Sequence, residues 1–242
     1  MLALDRLLQR QGFGTRKACA ALIASGQVCV RVAGDDALRV CTEPGESFAA
    51  EGLSFTVDGA PWQYREHVYL ALNKPAGYEC SNQPLHHRSV FSLLPQHFIN
   101  RGVQCVGRLD QDTTGLLLLS DDGAFIHALT APKKHVPKIY KASTKHPLDD
   151  QQLAALAEGV VLRDAPEPVF ALDCRQLGAN LLQLTIAEGK YHQVKRMVAA
   201  AGNRLEALHR VTIGGYNLSP ALAAGAWAWL DDDDLARLRG SG

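Results

Sequence analysis

The sequence has no net charge, no paired cysteine motif and no long apolar run. Its 242 residues contain 25 Lys plus Arg and 25 Asp plus Glu, a balance that taken alone argues against a nucleic-acid partner. None of its six cysteines has a Cys-x-x-Cys or zinc-site spacing, which favours reduced, buried thiols. Because no run approaches a membrane span and no secretory leader is recognisable, we expect a soluble, cytoplasmic protein without a membrane partner.

Charge is unevenly distributed along the chain. Residues 1–32 carry five basic side chains against one acid, and residues 131–147 carry five lysines and no acid. Phosphate binding depends on such local patches rather than on net charge. The distribution therefore favours a nucleic-acid partner despite the overall balance.

The N-terminal part of the chain predicts a small module. Two short helices and a strand are expected at residues 4–9, 16–25 and 28–32. Thr15 is placed to cap the second helix and Gly26 to end it. Glycine and proline near residues 58–66 indicate a boundary, so we predict domains at 1–60 and 67–242 joined by a linker at 61–66.

A polar loop separates two apolar runs in the middle of the chain. It contains an arginine, two carboxylates and two hydroxyls: Arg108, Asp110, Asp112, Thr113 and Thr114. Residues 103–106 before it and 115–119 after it predict strands, the second buried on both faces, and an Asp-Asp-Gly turn follows. Functional residues often lie on loops held by such a scaffold.

The rest of the second domain alternates strands and single helices. Strands are expected at 138–145, 168–174 and 180–187, and helices near 149–158 and 191–201. This order favours an α+β fold with a mixed sheet over a doubly wound parallel sheet.

The polar loop also fits a second enzyme class. Asp-x-Asp-x-Thr is the nucleophile pattern of haloacid-dehalogenase-type phosphatases, in which the paired carboxylates hold magnesium. That pattern should follow the first strand of a doubly wound domain, whereas this loop lies mid-chain and precedes another strand. From residue types alone, Asp110 is either a turn residue or a catalytic carboxylate.

Residues 107–123 as a whole are more specific. The string Gly-Arg-Leu-Asp-x-Asp-Thr-x-Gly-Leu-Leu-Leu-Leu-x-x-Asp-Gly resembles the signature of bacterial ribosomal RNA pseudouridine synthases of the RsuA/RluB type. Asn-Lys-Pro-x-Gly at 73–77, Lys-x-Tyr at 138–140 and His-Gln-x-Lys at 192–195 resemble further patterns of that family. The resemblance, which covers about residues 2–238, implies a catalytic domain with a mixed, mostly antiparallel sheet. It also implies a reaction without cofactor or metal, since isomerisation oxidises nothing and adds nothing.

The resemblance assigns roles to individual residues. It makes Asp110 the catalytic carboxylate, with Lys195 as its basic partner and Arg196 as the alternative. It places the ring of Tyr140 against the target base, while Arg108 either braces the loop or fills the gap left by the extruded nucleotide. The residues expected to contact RNA are Arg16, Lys17, Lys74, Lys133, Lys134, Lys138, Lys190, His192, Gln193 and Arg196.

The N-terminal module resembles the RNA-binding domain of ribosomal protein S-four type. The resemblance rests on the pattern from Leu4 to Val30, and in that family a helix presents basic side chains to phosphates, which Arg16 and Lys17 fit. The usual Asn-Gly turn after the strand is replaced by residues 33–36, so the wing of the module is expected to differ.

The substrate is suggested by two strings. Residues 208–215 and 77–81 are closer to the small-subunit branch of the family than to its large-subunit branch. They imply 16S ribosomal RNA, in a partly assembled small subunit, as the partner of a monomeric enzyme. The alternatives are a family member that modifies 23S RNA and a non-catalytic ribosome-assembly factor. His86, His87 and His97 are expected at the surface or facing RNA, since no hydrolase elbow accompanies them.

Overall fold

The computed structural model describes residues 1–31, 37–162 and 165–239. The chain divides into two compact units, one formed by residues 1–68 with 94–104 and the other by residues 69–93 with 105–242. We call them the N-terminal unit and the C-terminal unit. None of the described helices is long and apolar enough to span a membrane.

The N-terminal unit consists of short helices around a small antiparallel sheet. Its strands are β1 (Leu2–Ala3), β2 (Val28–Arg31), β3 (Leu38–Cys41), β4 (Ser47–Phe48), β5 (Ser54–Val57) and β6 (Ala60–Gln63), and its helices are α1 (Leu4–Arg10), α2 (Arg16–Ala24) and α3 (Gln96–Asn100). The sheet order is β3-β2-β5-β6, and β1 pairs separately with β4.

The predicted helices and strand are present. Thr15 caps α2 by accepting the Ala18 amide hydrogen at 3.2 Å, and Gly26 follows the helix at φ +76°. Val28 and Val30 are buried between more exposed neighbours, as an alternating strand requires. Val32 and the altered wing at 33–36 lie outside the described residues.

The predicted linker at 61–66 is wrong. Residues 60–63 form strand β6, which pairs with β5 through a turn at Asp58 and Gly59, both at positive φ. Pro61 is compatible with this strand because β6 lies at the sheet edge, where a missing amide hydrogen costs no ladder bond. Tyr64 is buried in the core of the unit. The glycine and proline therefore mark a hairpin, and the N-terminal unit runs on to Val68.

Residues 94–104 complete the N-terminal unit. Phe13 stacks on His97 with ring centroids 4.8 Å apart, and Trp62 meets the same imidazole edge-on at 4.2 Å. A Cβ on Gly12 would lie 2.0 Å from the His97 carbonyl oxygen, so only glycine permits this approach. The expectation of a surface or RNA-facing His97 is wrong, and burial lowers the pKa of its imidazole to about 4.

The C-terminal unit is built on one mixed sheet. Its strands are β7 (Tyr69–Lys74), β8 (Tyr78–Glu79), β9 (Arg88–Ser89), β10 (Gln104–Val106), β11 (Thr114–Ser120), β12 (Lys138–Thr144), β13 (Val160–Leu162), β14 (Ala165–Val169), β15 (Asp173–Gly178), β16 (Leu181–Ile186), β17 (Leu205–Ile213), β18 (Tyr216–Asn217) and β19 (Trp227–Trp229). Its helices are α4 (Gly123–Thr130), α5 (Asp150–Glu158), α6 (Gln193–Ala200) and α7 (Asp232–Arg239).

The sheet order is β15-β16-β12-β17-β11-β7-β19, and along this path only β11 and β17 run parallel. The predicted α+β class with a mostly antiparallel sheet is therefore confirmed. One strand prediction, 168–174, is wrong. The chain leaves β14 after Val169, and the amide hydrogens of Ala171 and Leu172 bond to Leu156 and Thr185 before β15 begins.

Strand β11 forms the centre of this unit. Residues 115–120 are all buried, as the run of leucines predicts. Leu116 and Leu118 pack with residues of α4 and α7, while Leu117 and Leu119 lie buried on the opposite face. At Gly115, φ is +99° and a Cβ would lie 2.3 Å from the Arg210 carbonyl oxygen. Glycine therefore allows the close pairing of β11 with β17 beside the polar loop.

Candidate active site

The polar loop lies between β10 and β11, and contacts of its backbone and of Leu109 hold it in place. Leu109 is buried, and its amide hydrogen points at the Cys80 sulfur at 3.5 Å. A hydrogen bond with Cys105 lowers the pKa of the Cys80 thiol. The Thr113 amide donates to the Asp110 carbonyl at 3.1 Å, which closes the loop into a tight turn. Asp110 is thereby fixed at the rim of the sheet.

Lys74 provides a second support for the loop. Its side chain is fully buried, and its ammonium donates to the carbonyl oxygens of Pro75, Gln111 and Thr113 at 3.1, 3.1 and 2.8 Å. Burial lowers the pKa of Lys74. The expectation that Lys74 contacts RNA is therefore wrong, because all three of its donors are used inside the protein.

The start of α6 brings two basic side chains to the loop. His192 precedes the helix in the left-handed conformation, at φ 48°, and Lys195 lies three residues further on the same helical face. His192 Nε2 lies 3.3 Å from one carboxylate oxygen of Asp110, and Lys195 Nζ lies 2.9 Å from the other. We call Asp110, Asp112, His192 and Lys195 the ion-pair wall.

Lys195 bridges both carboxylates of the loop. Its ammonium is 2.7 Å from Asp112 as well as 2.9 Å from Asp110. Burial opposes the charge on Lys195, but the hydrogen bonds to Asp112 and Asp110 outweigh it and raise the pKa. Burial likewise opposes the charge on Asp112, yet the hydrogen bond from Lys195 leaves its pKa lowered. The predicted contact of Asp110 with Lys195 is present, whereas Arg196 donates to the Tyr191 carbonyl at 3.1 Å.

Gln193 has a local structural role. Its side chain is 3% exposed, its oxygen accepts the Lys190 amide hydrogen at 3.0 Å and its nitrogen points at the Met197 sulfur. These contacts fix the turn into α6, so the expected RNA contact of the Gln193 amide is wrong. Lys190 is exposed and lies 3.0 Å from Glu188.

The opposite side of the site is formed by the sheet. Lys138 and Tyr140 alternate with Ile139 on β12 and so share one face, and Tyr140 lies opposite Arg210 on β17. Tyr140 is 7% exposed and Arg210 is 3% exposed. Burial, together with the positive charge of Arg210, lowers the pKa of Lys138 to about 8. We call Lys138, Tyr140 and Arg210 the sheet floor.

A cavity of about 520 Å³ lies between the wall and the floor. Its volume is in the usual range for a small-molecule site. Of the predicted site residues, the structure brings these to its lining: Arg108, Asp110, Lys133, Lys138, Tyr140, Lys190, His192, Gln193 and Lys195. Lys134 and Arg196 lie on the C-terminal unit outside the lining, while Arg16 and Lys17 are exposed on α2 of the N-terminal unit. Arg16 pairs with Asp5 at 2.6 Å and its side chain stays 56% exposed.

Sequence reasoning missed two features of this site. It gave His192 only an RNA contact, and the imidazole in fact touches the central carboxylate. It gave Arg210 no role, because His209 and Thr212 are polar as well and nothing in residues 208–213 shows that this arginine is the buried one. The arrangement presents a carboxylate held by two basic groups to a cavity floored by an aromatic ring. Such a site suits proton transfer or nucleophilic attack by the carboxylate on a bound ring compound.

Comparisons with known proteins agree with this chemistry. A family model described as RNA pseudouridylate synthase matches residues 68–200. A Bacillus subtilis protein described as an uncharacterised RNA pseudouridine synthase is 35% identical over 237 residues, which is 97% of each chain. Ribosomal small subunit pseudouridine synthase A of Haemophilus influenzae is 39% identical over 173 residues, 72% of this chain and 74% of the relative.

A further relative and one solved structure extend the likeness over the whole chain. The enzyme of the same description from Vibrio vulnificus is 35% identical over 238 residues, 97% of this chain and 98% of the relative. A crystal structure described as a pseudouridylate synthase matches with a TM-score of 0.68 at 32% identity, covering 98% of this chain and 100% of that chain.

Proposed function

The chain belongs to the RNA pseudouridine synthase family, and we propose that it isomerises a single uridine of 16S ribosomal RNA in a partly assembled small subunit. The observation that carries the catalytic assignment is the Asp110 carboxylate, held by Lys195 and His192 at the edge of a cavity with an aromatic floor. The substrate assignment is supported by the two relatives named for the small subunit.

The reaction needs a carboxylate close to the ribose of the target nucleotide. The bond from the ribose to nitrogen 1 of uracil breaks, the base turns, and a bond forms from the ribose to carbon 5. Asp110 serves this either by taking the proton of ribose carbon 2′ or by attacking carbon 1′. The ammonium of Lys195 at 2.9 Å and the imidazole of His192 at 3.3 Å hold the two carboxylate oxygens in position for either route.

The other residues have binding roles in this proposal. The ring of Tyr140 supports the flipped-out base, a contact worth about 1–3 kcal/mol per base in stacked complexes. Arg108, exposed at the cavity, fills the space that the extruded nucleotide leaves in the RNA. Lys133, Lys134, Lys138, Lys190 and Arg196 bind the surrounding phosphates.

We further propose that the N-terminal unit is an S-four-type RNA-binding domain. The side chains of Arg16 and Lys17 at the start of α2 support this, since Lys17 is exposed and Arg16 stays 56% exposed while it pairs with Asp5, so both can meet phosphates at the protein surface. The protein acts as a cytoplasmic monomer, because immature ribosomal subunits are a single large substrate that one copy can grip with both units.

Mapping the product tests the proposal. Small-subunit particles and free 23S RNA, both from cells that lack this gene, are incubated separately with purified protein, and pseudouridines are mapped chemically. We expect one new pseudouridine in 16S RNA, absent when the Asp110→Asn variant is used as the control. Modification confined to 23S RNA would contradict the substrate assignment, and no product in either RNA would contradict the activity.

A further inference from the structure

Arg210 reaches the cavity through an irregularity in its strand. Between β12 and β17 the register shifts, so that Ile139 lies opposite Thr212 but Tyr140 lies opposite Arg210. Val211 is the extra residue of this bulge. Arg210 and Ile213 both line the cavity although they are three residues apart, which an unbroken alternation of side chains would forbid. Bulges of this kind re-aim side chains next to active sites.

The guanidinium of Arg210 is incompletely satisfied. Its Nε donates to the Leu116 carbonyl at 2.8 Å, and Nη1 lies 3.4 Å from the Tyr140 hydroxyl. Nη2 is enclosed and has no hydrogen-bond partner among the described residues. Leaving a donor of a buried charged group unpaired costs free energy, because the group has lost its hydrogen bonds to water and gained none in the protein. A bound group that accepts a hydrogen bond would remove this cost.

The unsatisfied atoms belong to residues that line this cavity. Within the described part of the chain, the buried side-chain nitrogens and oxygens without a hydrogen bond are three: Thr113 Oγ1, Glu188 Oε2 and Arg210 Nη2. All three belong to residues that line the cavity. Glu188 at least has the ammonium of Lys190 at 3.0 Å as a charge partner. The concentration of unmet polar groups marks the cavity as built for a polar occupant.

Positive charge on the sheet floor is also unbalanced. Lys195 and Lys190 have carboxylate partners, whereas Arg210 and Lys138 have none among the residues described. Arg210 and Lys138 lie on the neighbouring strands β17 and β12, and the positive charge of Arg210 lowers the pKa of Lys138. A net positive, nearly dry surface next to an aromatic ring attracts a flat anion more strongly than a neutral ring.

We infer that Arg210 is a further catalytic residue, which stabilises the negative charge on the detached uracil. The inference rests on pseudouridine synthase activity but not on the choice of 16S RNA. When the bond between ribose carbon 1′ and nitrogen 1 breaks, its electron pair stays with the base in either route open to Asp110. The uracil then carries one negative charge, spread over nitrogen 1 and its two carbonyl oxygens. Arg210 donates to one of these oxygens, and the hydrogen bond strengthens as the charge develops.

The later steps return the charge. Carbon 5 bonds to carbon 1′ with a ring electron pair. In the nucleophilic route the bond from carbon 1′ to Asp110 breaks in this step and its electron pair returns to the carboxylate, whereas in the other route Asp110 gives its proton back to carbon 2′. Carbon 5 then loses its hydrogen as a proton while nitrogen 1 gains one. The proton lost and the proton gained balance, so the product is an isomer of the substrate. The interaction with Arg210 is strong only while the base is detached, which is the condition for lowering the barrier rather than merely tightening binding.

A change of leaving group tests this role. We would compare single-turnover rate constants on the ribosomal RNA that the wild-type protein modifies, with the target uridine either unchanged or replaced by 6-azauridine. The extra ring nitrogen makes the detached base a more stable anion and leaves the hydrogen on carbon 5 in place. Arg210→Met should slow the reaction on uridine by about 10²–10³-fold, as loss of one oxyanion donor does elsewhere. The loss on 6-azauridine should be smaller by at least about tenfold, because that base needs less stabilisation.

The decisive quantity is the ratio of the two rate constants within one protein sample, because partial misfolding lowers both equally. Arg210→Lys keeps a charge and should show an intermediate ratio, which keeps the test open if Arg210→Met does not fold. Arg204→Met is the matched control, since Arg204 lies just before β17, is exposed and pairs with Glu206. This variant should keep the wild-type ratio. An unchanged ratio in both Arg210 variants would overturn the role of Arg210. A wild-type protein inert on every ribosomal RNA would overturn the proposed function together with it.

Discussion

The ion-pair wall and the sheet floor face the same cavity but differ in how they hold charge. On the wall, Asp110 and Lys195 have side chains 29% and 26% exposed, and every charge has a partner of opposite sign. On the floor, Arg210 is 3% exposed and has no carboxylate partner among the described residues. The wall is suited to a group that must react from a defined charge state, and the floor to an anion that exists only briefly. The sugar and the base thus meet different electrostatic surroundings.

The largest effect should come from removing the charge of the wall. Asp110→Asn keeps size and hydrogen bonding, so RNA affinity should change by less than about threefold while the rate constant falls roughly 10⁴-fold, the upper end for a positioned acid or base. Single-turnover assays with excess protein, together with filter binding of the same RNA, measure both quantities. Turnover near that of the wild type would remove Asp110 from the mechanism.

The partner of Asp110 should come next. Lys195→Met leaves the carboxylate without its ammonium at 2.9 Å, and we expect a loss of about 10²-fold in rate, close to what breaking a partly buried pair costs. Arg196→Met is the matched control on the same helix. At saturating protein, where a lost phosphate contact does not limit the rate constant, it should cost less than about threefold, since Arg196 bonds to the Tyr191 carbonyl and not to Asp110. The reverse order of damage would show that the contact seen here does not serve catalysis.

The two surfaces should also differ in their response to pH. Lys138 on the floor has a pKa of about 8, so it is protonated below that pH and neutral above it. If its charge assists the reaction, the rate should fall about tenfold per pH unit above pH 8. In Lys138→Arg the charge persists above pH 12, so this decline should disappear. Rate constants from pH 6 to pH 10 decide this, and an identical alkaline decline in both proteins would exclude titration of Lys138 as its cause.

The smallest effect should be that of Asp112. Its carboxylate touches Lys195 at 2.7 Å, but its side chain is 56% exposed, and exposed ion pairs are worth about 0.2–1 kcal/mol. We expect Asp112→Asn to slow turnover by at most about fivefold, with the same pH profile as the wild type. A loss as large as that of Asp110→Asn would mean that the two carboxylates act together.

The wall was more predictable from sequence than the floor, for a physical reason. Asp110 lies in a contiguous loop whose residue types are informative by themselves, and Lys195 follows from a short helical pattern. Arg210 depends on a bulge that shifts Tyr140 from Val211 to Arg210, and no local pattern encodes which residue a strand skips. The predicted RNA contacts of Lys74 and Gln193 were wrong for a related reason. In a sequence, a polar side chain that binds RNA cannot be distinguished from one that bonds to backbone groups inside the protein.

The domain boundary was also predicted wrongly, because the sequence does not show which segments pair. Asp58, Gly59 and Pro61 have the composition of a linker, and only the pairing of β5 with β6 distinguishes a hairpin from one. His97 packs against Phe13 and Trp62, which are still further away in the sequence, so local patterns could not predict this contact. Helix ends such as Thr15 and the buried run at Leu116 were predictable, since capping and burial act over a few neighbouring residues.

The inclusion of residues 94–104 in the N-terminal unit has a consequence for how the chain is made. Synthesis proceeds from the N-terminus, and domains usually complete in that order. Here the binding place for His97 beside Gly12 stays empty until the segment after β9 has left the ribosome. By then β7 has left the ribosome, while its partners β11 and β19 have not. The apolar strand Tyr69–Lys74 therefore stays unpaired in the nascent chain until its partners emerge. The rate of translation sets how long it is exposed to chaperones or to aggregation.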